Sequence, residues 1–82
     1  MKVNLTPKTF KEISKIPENQ RKKIFKGLSS LENDPFSGKH LAGKLSGEYS
    51  LKVWPYRIIY EIDKESKTVW VHTVIHRQRA HK

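Results

Sequence analysis

The chain contains no cysteine, so neither a disulfide nor a thiolate-held metal supports its fold or chemistry. No apolar run approaches the ~20 residues that a membrane-spanning helix needs, and Met1-Lys2-Val3-Asn4-Leu5 offers no signal-peptide core. A soluble, cytoplasmic protein with no membrane partner is therefore expected. Glycine patterns that cradle phosphate are missing: neither GxGxxG nor GxxxxGK occurs, and Gly43-x-x-x-Gly47 lies in a polar stretch before a strand. No nucleophile elbow is present, and Ser50 has no evident base partner. His72 and His76 fall on one strand about 13 Å apart, too far to share a zinc ion. Neither a metal nor a small-molecule cofactor is expected. Acids are scarce as well.

What the chain has is positive charge. Among 82 residues, 17 Lys and Arg stand against 8 Asp and Glu, a formal net charge of +9. No acid follows Glu65, whereas Lys67, Arg77, Arg79 and Lys82 do. Such a field speeds encounter with phosphate polymers, acidic proteins or anionic surfaces without choosing among them. One domain, 1–82, is expected, with no repeat or linker. At this size roughly 60% of the unfolded surface is buried, which leaves a small core.

Hydrophobic periodicity supplies the elements. Val3 and Leu5 alternate in a short first strand. Thr6-Pro7 then starts a helix, since proline at the first helical position gives up no needed N–H. Phe10, Ile13 and Ile16 follow at helical spacing, and after Pro17 a second stripe runs through Ile24, Phe25, Leu28 and Leu31. Asn33-Asp34-Pro35 ends it. Their lysines read as a solvated face. Residues 36–44 read as a loop.

Residues 48–54 alternate Tyr49, Leu51 and Val53 against Ser50, Lys52 and Trp54, and residues 57–62 alternate Ile58, Tyr60 and Ile62 against Arg57, Ile59 and Glu61. A Pro55-Tyr56 turn would set Trp54 opposite Arg57 and Lys52 opposite Ile59, with Lys52, Trp54 and Arg57 on one face. In the last strand, 68–76, the aliphatic set Val69, Val71 and Ile75 is expected inward, with Trp70 and His72 on the Lys52 face. The class is α+β, in the order β-α-α-β-β-β, with a two-helix hairpin on one face of a small, mainly antiparallel sheet.

A basic, partly aromatic sheet face points to nucleic acid. Arginine grips phosphate with a planar fork, lysine acts as a point charge, and Trp54 offers a stacking surface worth ~1–3 kcal/mol per base. If such a face cleaves RNA, Arg57 and Arg77 suit stabilisation of the crowded phosphate, a permanent cation aimed at developing charge. Lys52 suits the base, since neighbouring arginines favour its neutral form. Histidines 40, 76 and 81 are the alternative proton donors. Read on their own, the histidines are structural or exposed residues.

The segments Leu45-Ser46-Gly47-x-Tyr49-x-Leu51-x-Val53, Tyr56-Arg57-Ile58-Ile59-Tyr60 and Val74-Ile75-His76-Arg77, in the element order above, resemble the RelE/ParE superfamily. These are the toxins of bacterial and archaeal toxin–antitoxin pairs, and the likeness covers nearly the whole chain. It implies a metal-independent endoribonuclease that cleaves mRNA in the ribosomal A site, with Lys52, Arg57 and Arg77 catalytic. Arg79, Lys44, Trp54, His76 and His81 would contact RNA. The implied partners are the ribosome with its mRNA, and a cognate antitoxin, acidic and partly disordered until bound. Two positions depart from the family pattern. Ser50 stands where a second basic residue is common, and Ala80-His81-Lys82 where a tyrosine often follows, leaving His81 as its substitute or catalysis weakened. The ParE branch of the superfamily, gyrase poisons acting through protein contacts, is the alternative, and a non-catalytic RNA-binding homologue is the third reading.

Overall fold

The computed structural model describes residues 1–41 and 47–78. The elements are β1 (Lys2–Leu5), α1 (Pro7–Ser14), α2 (Glu18–Asn33), β2 (Lys39–His40), β3 (Glu48–Val53), β4 (Tyr56–Asp63) and β5 (Thr68–His76). They form one five-stranded sheet in the order β1-β5-β4-β3-β2, with β1 parallel to β5 and the other pairs antiparallel. The α+β architecture is as expected. The additional strand is β2, which lies in the stretch read as a loop. Two residues are too few to show an alternation, and β2 exists only through its pairing, Lys39 with Ser50 and His40 with Tyr49.

Thr6 caps α1, its Oγ1 accepting the Thr9 N–H at 3.2 Å, and Pro7 occupies the first turn. The core is built from Ile13, Ile16, Ile24, Leu28 and Leu31 of the hairpin against Ile58, Tyr60, Val69, Val71 and Val74 of the sheet. Phe10 and Phe25, expected in the buried stripe, are instead 68% and 49% exposed. The sheet takes only the narrow seam Ile24–Leu28–Leu31, and Phe25 lies about 100° around the helix from Ile24. At this seam α2 rests closely on β3. A Cβ at Gly27 would lie 2.9 Å from Val53 Cγ2.

Two register differences move the site. The β3–β4 pairing sets Lys52 opposite Arg57 and Val53 opposite Tyr56, so the turn is Trp54-Pro55, not Pro55-Tyr56. Proline has no N–H to give a ladder, so it sits in the turn while Tyr56 pairs. The slide leaves each side chain on its expected face. In β5, Ile59 pairs with Thr73 but Tyr60 with Val71, a bulge that leaves His72 as the extra residue. Alternation therefore inverts: Val69 and Val71 are buried before the bulge and Val74 after it. Ile75, expected inward, lies opposite Arg57.

Beyond Leu5, β1 no longer covers β5, and α1 takes over that edge. Thr9 Oγ1, fully buried, donates to the Val71 carbonyl at 2.8 Å. The Glu12 carboxylate accepts from the Val74 N–H at 3.2 Å and from the Thr73 hydroxyl at 2.8 Å. The β5 edge groups left uncovered beyond β1 are thus satisfied largely by side chains of α1.

Candidate functional site

Helices cover one face of the sheet. On the other, the pairing of Lys52 with Arg57 and of Arg57 with Ile75 lines up three strands at the end bearing the β3–β4 turn. Directly paired residues have Cα atoms about 4.5–5.5 Å apart, so the Lys52 and Arg57 side chains rise side by side. Arg77 follows the end of β5 and is tied to the turn, its N–H donating to the Pro55 carbonyl at 2.7 Å. Its guanidinium lies over the Trp54 ring, Cζ 4.4 Å from the centroid, and the Lys52 Nζ is 5.5 Å from the same ring. The indole is 54% exposed. It serves as the platform that gathers two of the three cations.

Among the described residues the one basic side chain within 4 Å of a carboxylate is His72, hydrogen-bonded to Glu61 at 3.0 Å. No carboxylate there neutralises Lys52, Arg57 or Arg77. Glu61 and Trp70 are paired neighbours on the same face, four residues along β4 from Arg57, or about 13 Å. The face therefore differs along its length: free cations at the turn, a carboxylate hydrogen-bonded to His72 at the far end. Like charges side by side are unfavourable, and an anion between them relieves that repulsion.

The other anticipated residues are distributed differently. His76 pairs with Tyr56, its ring edge-on to the tyrosine at 5.3 Å, and its Nδ1 accepts the Gln78 N–H at 3.3 Å. The Tyr56 hydroxyl donates to Gln20 Oε1 on α2 at 2.8 Å, so His76 belongs to the helix side rather than to the cation cluster. Lys44, Arg79 and His81 lie outside the described residues. No group of three His, Cys, Asp or Glu converges as a metal site among those described.

Lys39 is the residue that sequence reasoning missed. Paired with Ser50, it lies on the cation-bearing face. With Ser37, Gly38, Ser50, Lys52 and Arg57 it lines a cleft of about 520 Å³. The cleft wall is held by Tyr60, whose hydroxyl donates to the Pro35 carbonyl at 2.8 Å and accepts the Gly38 N–H at 3.1 Å. Burial pushes the Tyr60 phenol pKa above 10.0, although the Gly38 hydrogen bond opposes this. Only the glycine at 38 and the run of polar residues hinted at a close approach here.

The family described as ParE toxin of type II toxin-antitoxin system, parDE, matches residues 3–81. The chain belongs to this toxin family. By structure the toxin is similar to the toxin–antitoxin complex RelBE2 from Mycobacterium tuberculosis, at 29% identity and a TM-score of 0.86 over 93% of this chain and 96% of that one. It is also similar to the archaeal RelE–RelB complex from Pyrococcus horikoshii, at 21% identity and TM-score 0.80 over 95% and 96%. A third likeness is the YoeB/ParE toxin from Agrobacterium tumefaciens, at 18% and 0.80 over 93% and 98%. No curated protein sequence matches the chain. The toxin thus belongs to the RelE/ParE superfamily, and no helix among its described residues is long and apolar enough to cross a membrane.

Proposed function

We propose that the toxin is a ribosome-dependent endoribonuclease that cleaves mRNA in the ribosomal A site and so stops translation. The observation that carries this reading is the cluster itself: Lys52 opposite Arg57, with Arg77 brought to the same turn by Trp54. In the proposed reaction the 2′-oxygen attacks the adjacent phosphorus and the bond to the 5′-oxygen breaks. The products are a 2′,3′-cyclic phosphate and a 5′-hydroxyl, with one proton lost from the nucleophile and one gained by the leaving group. Arg57 and Arg77 hold the phosphate oxygens as their charge grows. Guanidinium stays charged, so Lys52 is the cluster's proton-transfer group, a base as amine and an acid as ammonium. With Ser50 in place of a second basic residue, the ribosome contributes the remaining positioning.

The net charge of +9 and the unneutralised cluster also favour an acidic antitoxin as partner, which would silence the toxin by covering these cations. A complex with an antitoxin is what the Mycobacterium and Pyrococcus structures contain. The test is primer extension on an mRNA in a cell-free translation reaction, with and without the toxin. Cuts inside codons that need active translation are expected, and Arg57→Ala or Arg77→Ala should lower cleavage by about 10²–10³. The second reading, a gyrase poison acting through protein contacts, draws on the ParE name of the matching family. Intact mRNA, with gyrase cleavage complexes unaffected by either substitution, would establish it instead.

A further inference from the structure

Resting on the RNA-cleavage reading, we infer that the cleft beside the cluster binds the nucleotide next to the scissile one, with Lys39 holding its phosphate. Lys39 pairs with Ser50, and Ser50 is two residues along β3 from Lys52, so the two lysines stand about 7 Å apart along one face. That step is comparable to the separation of successive phosphates in an extended single strand. The cleft spans it, lined at one end by Lys39 and at the other by Lys52 and Arg57. Its volume of about 520 Å³ falls in the range of small-ligand sites, roughly 300–1,000 Å³. It suits a nucleoside rather than a lone ion.

The wall between the cations is polar and rigid. Ser37 and Ser50 line it, each carrying a hydroxyl. These can pair with a 2′-hydroxyl or a base edge. Gly38 is packed so closely on Tyr60 and on the Ser50 carbonyl that it has no room for a Cβ. Lys39 is therefore presented from a fixed backbone although β2 is only two residues long. A lysine on an edge strand also discourages strand addition, a role that needs no RNA. What assigns Lys39 to substrate is that it shares a cleft with Lys52 and Arg57.

The inference is tested with 2′-O-methyl oligouridylates, which cannot be cut, titrated into the free toxin at low ionic strength and followed by amide chemical shifts. A dinucleotide carries one phosphodiester and a trinucleotide two. The trinucleotide should bind about threefold to fivefold tighter, the order of one exposed ion contact, with the added shifts at Lys39 and Ser50. Lys39→Gln should abolish that gap, Lys39→Arg should keep it, and Arg57→Ala should weaken both ligands while preserving it. A gap that is absent in the parent, or unchanged in Lys39→Gln, overturns the assignment and leaves the RNA reading in place. If neither ligand binds, the assignment of the cleft to RNA is overturned, while the RNA reading itself stands or falls on cleavage in the translation reaction.

Discussion

Replacing Trp54 by alanine separates a structural indole from a functional one. Trp54 is more than half exposed at a turn, so its removal takes little apolar surface from the core. Its contacts are with charges: the Arg77 guanidinium at 4.4 Å and the Lys52 ammonium at 5.5 Å. Exposed cation–π contacts are worth about 0.5–1 kcal/mol each, so the stability loss should stay near 1–2 kcal/mol. Activity should fall further than that suggests. Freed from the ring, Arg77 spends less time over the reacting phosphate, and single-turnover cleavage on programmed ribosomes should slow about 10-fold to 100-fold, short of the ~10²–10³ for losing a stabilising cation outright. The double variant Trp54→Ala/Arg77→Ala should be no slower than Arg77→Ala alone, because the indole acts through the arginine. If the two effects multiply, the positioning role is refuted. If the loss instead lies wholly in affinity and Trp54→Phe restores it, the ring stacks on a base, the role anticipated from the sequence.

Three further outcomes follow from the packing. Tyr60→Phe leaves the Gly38 N–H and the Pro35 carbonyl without their partner and should cost about 1–3 kcal/mol in denaturant unfolding. In the parent, the folded Tyr60 pKa lies above its ordinary value of 10.0, so its contribution is complete below about pH 10 and is lost as pH rises toward the folded pKa. Alkaline unfolding followed by tyrosinate absorbance should accordingly show Tyr60 ionising together with loss of structure, and a separate early step for this tyrosine would contradict it. Glu12→Ala strips the partner from the Val74 N–H and the Thr73 hydroxyl and should cost about 1–2 kcal/mol, with faster amide exchange at Val74.

How much was legible in the sequence differs between the parts of the site. The shared face of Lys52 and Arg57 was recoverable, although their pairing was not, because alternation with period two assigns a face whatever the register. The slide of the Trp54-Pro55 turn changed which residues touch, yet it moved neither side chain to the other face. The bulge at His72 was not recoverable. It is one extra residue absorbed between Val71 and Thr73, and it alone exchanges Ile75 for Val74 in the core. Phe10 and Phe25 were misplaced because helical periodicity shows an apolar stripe but not how much of it the partner covers. Lys39 was invisible for a simpler reason, since a two-residue strand has no period.

On the proposed reading, toxicity and its silencing have one physical origin. The cluster places three cations around a single turn with no acid among the described residues to balance them, an arrangement that weakens the fold unless an anion is present. Either polyanion relieves it: the RNA phosphates during cleavage, or the carboxylates of an acidic antitoxin. Because both act on the same charges, they must exclude one another. The antitoxin then needs no contact with a reacting atom to be an inhibitor, and its hold should weaken with salt alongside the toxin's grip on RNA. The same linkage makes the antitoxin a stabiliser, since any ligand of the folded state alone raises its stability by mass action. For a core of this size that increment is a large share of the total.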